Sequence, residues 1–245
     1  MKTVATIEAR MTSSRLPGKM LLKACGSSMF EHLCFRLKAI SLIDEIVLAT
    51  TTNPADDELV KSAQKMGVNV FRGDEFDVMS RVIGAARSTD ADIIVQITGD
   101  CPIIDPEIVA QTIQVFNHNN ADYVGNALIR SYPDGMDAQV FSLDTLELSA
   151  RMTTAYADRE HVSLHIRNNP NIFSHINLIA PPELFWPELG LTLDEPKDYE
   201  LIKILIEHFS QCGNPMFSCF DAVQYLKKNP ELLSINSNVA RKGAG

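Results

Sequence analysis

The sequence predicts an α/β protein of three layers, in which helices cover both faces of a mostly parallel sheet. The first half of the chain alternates β-branched runs with segments of helical periodicity four times, which is typical of parallel strands joined by crossovers. The run at 92–98 is almost continuously apolar, as expected for a central strand covered on both faces. With 245 residues, 45% of them hydrophobic, the chain can bury one sizeable core. We therefore predict a single domain over residues 1–233, followed by a flexible polar tail over 234–245.

The elements of the first half carry clear start and stop signals. Apolar residues over 29–40 recur at helical spacing, and Ser28 with Glu31 fits a capping box. Pro54 opens the next helix, and Gly67 ends it. The predicted order is strand 2–8, helix 29–40, strand 45–50, helix 54–66, strand 68–71, helix 75–87, strand 92–98 and helix 106–117.

The second half is less regular, and its elements are predicted from shorter patterns. It contains neither an internal repeat nor a linker long enough to separate two domains. Pro196 marks the start of a long helix, because proline is favoured at the first helical position. The predicted order is strand 121–124, strand 138–141, helix 143–152, helix 158–168, strand 173–178, strand 191–193 and helix 195–209.

The charge of the chain argues against two classes of partner. It carries 22 basic and 31 acidic residues, a net charge of -9, whereas binding nucleic acid requires clustered lysine and arginine. No apolar run approaches the roughly 20 residues needed to span a bilayer, and the first apolar run is too short for a signal peptide. The five cysteines are odd in number and form no C-x-x-C, which is typical of reduced thiols. We therefore expect a cytoplasmic protein without a nucleic-acid or membrane partner.

A cluster of basic residues follows the first predicted strand. Arg10, Arg15, Lys19 and Lys23 fall close together in an otherwise acidic chain. The small residues between them let backbone N–H groups approach an anion, and open α/β sheets bind ligands past the carboxyl ends of their strands. The loop matches neither a Walker A motif nor a G-x-G-x-x-G fingerprint. We predict that it binds phosphate, and the alternative is a solvated basic loop.

Two carboxylates stand at the ends of predicted strands. Asp100 is the first charged residue after the apolar strand 92–98, and Asp194 follows the strand 191–193 directly before a helix. Mg²⁺ takes one or two carboxylates together with phosphate oxygens and water, so two carboxylates beside a phosphate loop predict a magnesium site. The alternative for each is an N-cap or turn aspartate.

Six motifs stand in order along the chain. They are I-E-A-R-M-T-S-S-R-L-P-G-K (7–19), F-R-G-D-E-F-D-V (71–78), I-T-G-D-C-P (97–102), Y-P-D-G-M-D (132–137), R-E-H-V (159–162) and L-T-L-D-E-P-K-D-Y-E-L (191–201). Together they resemble the CMP-sugar synthetases, which are the acylneuraminate and CMP-Kdo cytidylyltransferases, and in particular their spore-coat-polysaccharide branch. The resemblance spans about residues 3–209.

This resemblance implies the nucleotide-diphospho-sugar transferase (GT-A-like) fold, Mg²⁺ as cofactor and a homodimer. The implied reaction transfers CMP from CTP to an acidic sugar, a nonulosonic or Kdo-like acid, and releases pyrophosphate in polysaccharide or glycan biosynthesis. The implied catalytic residues are Lys19, Arg15 and Asp100, with Asp100 and Asp194 as metal ligands. The implied nucleotide-binding residues are Ala9, Arg10, Ser13, Ser14, Arg15, Lys19, Arg72 and Asp77. The implied acceptor-binding residues are Tyr132, Asp134, Asp137, Glu160 and His161.

The chain also departs from the family pattern. Glu8 stands where Gln or Pro is usual, Thr12 where Gly is common, and Gln139 and Gly190 where Glu and Arg are frequent. The lost cation at Gly190 leaves the charge or the pose of the acceptor open. Three other functions stay open. One is a glycosyltransferase of related fold, although no D-x-D follows the fourth strand. The others are a non-catalytic nucleotide-binding protein and a nucleotidyltransferase acting on a phosphorylated small molecule.

Overall fold

The computed structural model describes residues 1–240 of the chain. In this range the strands are β1 (Thr3–Glu8), β2 (Lys23–Ala24), β3 (Ser27–Ser28), β4 (Glu45–Thr51), β5 (Asn69–Gly73), β6 (Ile93–Thr98), β7 (Tyr123–Gly125), β8 (Gln139–Ser142) and β9 (His175–Asn177). The α-helices are α1 (Met29–Lys38), α2 (Asp57–Lys65), α3 (Val78–Ser88), α4 (Pro106–His118), α5 (Leu143–Met152), α6 (Tyr156–Glu160), α7 (Leu164–Asn168), α8 (Pro196–Gln211) and α9 (Cys219–Lys228). Short 3-10 helices cover Lys19–Leu21, Pro54–Asp56 and Pro230–Ser234.

The strands of the main sheet follow the order β5-β4-β1-β6-β8-β7-β9. The first four of these are parallel, whereas β8 runs antiparallel to both of its neighbours. Glu8, the last residue of β1, pairs with Thr98, the last residue of β6. The loops that follow β1 and β6 therefore leave the sheet side by side, at the edge where open α/β sheets bind ligands.

Alternation along β1 shows how the sheet is covered on both faces. Ala5 and Ile7 pack into a core with residues of α1, α2 and α4, while Val4 packs into a second core with residues of α3, α5 and α7. The predicted three-layer α/β/α arrangement with a mostly parallel sheet is confirmed. In residues 1–240 no helix is both long enough and apolar enough to cross a bilayer.

A third core packs α8 and α9 against the segment that leads to Asp194. It contains Leu191 and Leu193 together with Leu201, Ile202 and Leu205 of α8, all 0% exposed. Since Leu191 and Leu193 flank the approach to Asp194, this core fixes the segment that carries the second predicted metal ligand.

Two predicted elements differ from the structure, and one observed helix was not predicted. The predicted strand 191–193 does not join a sheet; the neighbouring Gly190 instead forms an isolated parallel bridge with Asp134. The predicted helix 158–168 is divided into α6 and α7, and between them Ser163 donates a hydrogen bond to Gln139 Oε1 at 2.6 Å. α9 was not predicted, although a capping box of Ser218 and Asp221 marks its start.

The ordered chain continues past the boundary predicted at residue 233. Asn236 is 5% exposed and Val239 is 8% exposed, so both are buried against the domain. The remainder of the predicted tail, residues 241–245, lies outside the described residues.

Candidate active site

A cavity of about 440 Å³ opens where β1 and β6 end. It collects residues from both halves of the sequence, including most of those predicted for the site. The predicted site residues that line it are Ala9, Arg10, Ser13, Ser14, Arg15, Lys19, Asp100, Asp134, Asp137, Glu160, His161 and Asp194.

The basic loop after β1 is held in a closed turn by backbone contacts. Gly18 donates a hydrogen bond to Met11 O at 2.9 Å and has a φ of 72°, the left-handed region that favours glycine. Met11 N in turn donates to Asp56 Oδ1 at 2.7 Å. Asp56 is 0% exposed and also accepts from Thr50 Oγ1 at 2.9 Å. The loop is therefore fixed to the end of β4, and Lys19 begins the following turn.

Asp100 reaches this loop because Gly99 permits a close approach of two backbones. Gly99 N donates to Glu8 O at 2.9 Å, and a Cβ at position 99 would lie 2.8 Å from the Cβ of Ala9. That separation is shorter than carbon atoms tolerate, so a side chain at 99 would push β6 and the loop apart. The T-G-D sequence thus places a carboxylate directly beside the loop.

Asp194 reaches the same place by hydrogen bonds from an extended segment. Leu193 N donates to Asp100 O at 2.8 Å, and Leu191 N donates to Asp134 O at 2.7 Å. These bonds align the segment with the end of β6 although it lies about 90 residues later in the chain. As a result Asp194 follows directly after a residue bonded to Asp100.

The ammonium of Lys19 lies between the two aspartates. Its Nζ is 3.6 Å from Asp100 Oδ2 and 3.1 Å from Asp194 Oδ1, and it donates to Leu193 O at 2.7 Å. Arg15 Nη2 lies 2.7 Å from the other oxygen of Asp194. Burial opposes ionisation of Asp194, but Lys19 and Arg15 outweigh it and lower the pKa of this carboxyl. Both aspartates therefore face one point of the cavity, as the sequence predicts.

The two carboxylates suit a magnesium ion that also contacts a phosphate. Each lies within 4 Å of the same nitrogen, so their oxygens approach a common centre. In the described range no group of three or more His, Cys, Asp or Glu side chains forms a metal cluster. Mg²⁺ ordinarily takes one or two carboxylates and completes its shell with substrate phosphates and water, so this donor set fits the ion.

The part of the cavity next to β8 carries a cation that sequence reasoning missed. Arg167 lines the cavity, and its Nε is buried without a hydrogen-bond partner among residues 1–240. Ser163 and Gln139 line the same part. Burial, followed by the nearby Asp134, raises the pKa of Asp137 to about 7, although Arg130 and Arg167 oppose that shift. An unpaired guanidinium in a cavity can bind a carboxylate or phosphate group of a ligand.

Glu8 forms part of the cavity wall in an unusual state. Its Oε2 accepts a hydrogen bond from Gln96 Nε2 at 3.1 Å, while its Oε1 is buried and has no partner in the described part of the chain. Burial raises the pKa of Glu8 to about 8, and neither Gln96 nor Arg81 cancels the effect. A neutral carboxyl at this position can donate a hydrogen bond into the cavity near neutral pH.

Three predicted site residues are not among the described residues that line the cavity. Arg72 donates to Thr51 O at 2.8 Å and pairs with Asp57. Asp77 caps α3 by accepting from Ser80 N at 2.9 Å, and it also forms an ion pair with Arg159. Their polar groups hold neighbouring loops, and their role in binding the nucleotide stays a prediction.

Tyr132 is the third of these residues. It is 5% exposed and belongs to the core beneath α8 and α9, and it lines a separate cavity of about 350 Å³. In the Y-P-D-G-M-D motif, the tyrosine is therefore part of a core, whereas Asp134 and Asp137 line the active-site cavity.

Several lining residues that sequence reasoning missed carry a polar side chain on a strand or helix that otherwise reads as core. They are Gln96, Gln139, Arg81 and Arg167; Ser163, which was also missed, lies between α6 and α7. A polar residue such as Gln96 inside the apolar run 92–98 was the available signal, because buried polar groups need a partner.

Comparisons with known proteins agree with this geometry. A sequence profile of a cytidylyltransferase family matches residues 4–217. The chain is 32% identical over 230 residues to the spore coat polysaccharide biosynthesis protein SpsF of Bacillus subtilis, covering 92% of this chain and 94% of that protein. It is 31% identical over 173 residues to a 3-deoxy-manno-octulosonate cytidylyltransferase of Geobacter metallireducens, covering 69% of this chain and 62% of that protein. The solved structure of a cytidylyltransferase from Leptospira borgpetersenii matches with a TM-score of 0.89 and 32% identity, covering 98% of this chain and 99% of that one.

Proposed function

The chain belongs to the cytidylyltransferase family, and on that premise we propose that it transfers CMP from CTP to a hydroxyl group of an acidic sugar. Family membership makes it a nucleotidyltransferase with the fold that the sequence resemblance implies. One observation supports the reaction most directly, which is the arrangement of Lys19 between Asp100 and Asp194 inside the cavity. It combines the cations that a triphosphate needs with the carboxylates that its metal needs.

In the proposed reaction an acceptor oxygen attacks the α-phosphorus of CTP. The new P–O bond forms as the bond from that phosphorus to the β-phosphate oxygen breaks, pyrophosphate leaves, and the acceptor hydroxyl loses its proton. Positioning and charge stabilisation account for most of the catalysis of such a transfer. Arg10, Arg15 and Lys19 stand at the loop and would stabilise the negative charge that develops on pyrophosphate.

Mg²⁺ is proposed as the cofactor, with Asp100 and Asp194 as its protein ligands. When bound, the ion would neutralise phosphate charge and orient the triphosphate. Asp134 and Asp137 line the cavity away from the loop and offer carboxylates that can accept the hydroxyl proton.

The acidic acceptor is proposed from the charge of the cavity next to β8. Arg167 offers a guanidinium there whose Nε has no partner among residues 1–240, and it supplies a cation to the cavity although the sequence lacks one at Gly190. The relative from Geobacter metallireducens is named for transfer to such an acid, 3-deoxy-manno-octulosonate. A phosphorylated acceptor would place the same kind of charge at Arg167, so the experiment must separate these two classes.

Pyrophosphate release tests the proposal. The chain is incubated with Mg²⁺, each of the four nucleoside triphosphates, and nonulosonic acids, Kdo-like acids, phosphorylated metabolites or neutral sugars. We expect release with CTP and an acidic sugar, and mass spectrometry should find the CMP-linked acid. Release only with phosphorylated acceptors would overturn the acceptor class. Release with no pair, from a chain shown to be folded, would overturn the enzymatic function.

A further inference from the structure

The last described residues of the chain contact the active site, although the sequence predicts a flexible tail there. Asn236 is 5% exposed, and its Nδ2 donates to Asp198 Oδ1 at 2.9 Å and to Gly190 O at 3.0 Å. Both bonds join buried groups that are more than 35 positions away in the sequence. A buried amide with two such bonds fixes its partners, because losing either bond leaves a buried polar group unsatisfied.

Asp198 carries this contact to the backbone of the predicted metal ligand. Asp198 is 0% exposed, and its Oδ2 accepts from Asp194 N at 3.1 Å and from Glu195 N at 2.9 Å. Its Oδ1 is the oxygen that binds Asn236. One oxygen of Asp198 therefore holds the backbone that carries the Asp194 side chain, and the other is held by Asn236.

The two hydrogen bonds of Asn236 hold both ends of the segment that brings Asp194 into the cavity. Gly190 lies at the start of this segment and Asp198 lies just beyond its end. Between them Leu193 N is bonded to Asp100 O. A change at Asn236 would loosen both ends of the segment at once, so Asp194 would lose its fixed distance from Asp100.

The same stretch of chain also contacts the basic loop. Val239 is 8% exposed, and its N donates to Asn236 O at 3.0 Å. The carbonyl of Ala240 then accepts a hydrogen bond from Arg15 Nη1 at 3.1 Å, while Arg15 Nη2 pairs with Asp194. Residues 236–240 thus contact Asp198, which holds the backbone of a predicted metal ligand, and Arg15, which is predicted to bind phosphate.

We propose that residues 236–240 form a positioning element of the active site, in which Asn236 fixes Asp194 through Asp198. This inference rests on the proposed function, since it assigns Asp194 to the metal of bound CTP. Groups that hydrogen-bond a metal ligand directly typically change metal affinity about 10–100-fold when removed, and Asn236 acts one hydrogen bond further away, through Asp198. Asn236 is therefore a positioning residue that acts through Asp198 and does not touch the substrate.

The test measures binding of Mg²⁺ and CTP without an acceptor, so that no turnover occurs. Isothermal titration calorimetry of Mg²⁺ into the CTP-saturated chain is compared for the parent, Asn236→Ala and Asn236→Asp. Asn236→Asp keeps the side-chain shape but removes both N–H donors. Ser237→Ala is the matched control, because Ser237 is exposed and, among residues 1–240, its hydroxyl bonds only Ser234 O. Circular dichroism and thermal unfolding report whether each variant is folded.

We expect both Asn236 variants to bind Mg²⁺ about tenfold more weakly, the lower end of the range for direct partners, with the control unchanged. With acceptor present, excess Mg²⁺ should restore most of kcat and the KM for the acceptor should stay the same, which a general loss of structure would not produce. Folded Asn236 variants with the parent's Mg²⁺ affinity would overturn the positioning role. A folded parent that binds no Mg²⁺ with CTP would instead overturn the proposed function. If Asn236→Asp fails to fold, Asn236→Ala decides the outcome, and unfolding of both variants would show that Asn236 supports the fold as a whole and would overturn a specific positioning role.

Discussion

At the scale of single residues, three cations of the basic loop, Arg10, Arg15 and Lys19, are paired with carboxylates. Arg10 Nη1 lies 3.4 Å from Glu75, Arg15 pairs with Asp194, and Lys19 contacts both predicted metal ligands. A bound metal–triphosphate pair brings both signs of charge, so it can replace these contacts without leaving an isolated buried charge. Under the proposed function, the phosphates would therefore bind the cations of these ion pairs, and the metal would bind their carboxylates.

Asp100 gives the first prediction. Asp100→Asn removes a negative charge beside Lys19 while keeping the side-chain shape, and we expect kcat for CMP transfer to fall about 10²-fold or more, on the order of 3 kcal/mol. Steady-state pyrophosphate release measures the change. Asp90→Asn is the control, because Asp90 is exposed and its φ of 50° is tolerated by asparagine. Normal turnover by Asp100→Asn at ordinary Mg²⁺ concentration would remove Asp100 from the site.

Arg167 gives a prediction about the acceptor. Arg167→Met keeps the apolar stem but removes the guanidinium that lines the cavity, so an acidic acceptor loses its charge partner. We expect the KM for the acceptor to rise about tenfold or more, as for a lost charged hydrogen bond, while the KM for CTP changes little. Arg151→Met, at an exposed position on α5, serves as the control. Equal increases in both KM values would show that Arg167 does not act on the acceptor alone.

Glu8 gives a prediction about pH and stability. Burial raises its pKa to about 8 from an ordinary value of 4.5, so between these pH values the unfolded chain loses a proton that the folded chain keeps. The free energy of unfolding contributed by Glu8 therefore falls as pH rises through this window. Glu8→Gln removes the titration, and its stability relative to the parent should increase between about pH 5 and about pH 8.

Urea unfolding of both chains across that pH range measures the effect. Glu183→Gln, at an exposed position, should show a difference from the parent that does not vary with pH. The same flat difference for Glu8→Gln would mean that Glu8 is ionised in the folded chain.

At the scale of elements, the site depends on how loops leave the sheet. The loop after β1, the T-G-D turn after β6 and the segment before α8 meet because hydrogen bonds join their backbones at Glu8, Asp100 and Leu193. Divided α6 and α7 bring Ser163 and Arg167 to the same cavity. One continuous helix over 156–168 would direct its side chains differently. The break between α6 and α7 therefore determines which of these side chains line the cavity.

Gly84 gives a prediction at this scale, because it lets α3 pack against β5. A Cβ at position 84 would lie 2.2 Å from Phe71 Cζ and 2.5 Å from Cε1. Alanine normally stabilises a helix interior by about 1 kcal/mol relative to glycine, but overpacking a core costs about 1–3 kcal/mol. We therefore expect Gly84→Ala to lower the free energy of unfolding.

A double-mutant cycle in urea separates the two effects. Phe71→Leu removes the ring that a Cβ at 84 would meet, so Gly84→Ala should be less harmful, or stabilising, in the Phe71→Leu background. Equal effects of Gly84→Ala in both backgrounds would show that the ring is not the obstacle.

At the scale of the whole molecule, the cavity lies where separate cores meet. Met20 belongs to the core that contains α1, α2 and α4, Val78 packs against the core of α3 and α5, and Leu193 belongs to the core beneath α8 and α9. Ligand binding at this junction should stabilise the entire fold, because it adds contacts to elements that belong to different cores.

Thermal unfolding tests this linkage. Since Lys19 already occupies the space between Asp100 and Asp194, we expect Mg²⁺ alone to raise Tm little, and Mg²⁺ with CTP to raise it clearly more than the sum of the separate shifts. A ligand at 100 times its Kd adds about 2.7 kcal/mol of stability. Mg²⁺ with cytidine serves as the control, because it lacks phosphates. If Mg²⁺ alone raised Tm as much as Mg²⁺ with CTP, Lys19 would not be competing with the metal for Asp100 and Asp194.

Much of the site follows from short stretches of sequence. The loop 7–19, Asp100 and Asp194 were predicted together and the structure brings them into one cavity. Arg72, Asp77 and Tyr132 were predicted with them but serve as loop and core contacts. Nothing in a local motif distinguishes a side chain that faces a ligand from one that holds its neighbour, because a motif gives residue types and spacing but not the distant residues that each side chain meets.

The sequence by itself determined the order of elements, the three layers and the residues placed at strand ends, because periodicity, caps and strand direction are properties of neighbouring residues. Only the tertiary structure decided that Arg167 Nε and Glu8 Oε1 are buried without a partner among residues 1–240 and that Asn236 holds Asp198. Each of these depends on groups far apart in the chain, and their contacts form only when the separate cores have packed.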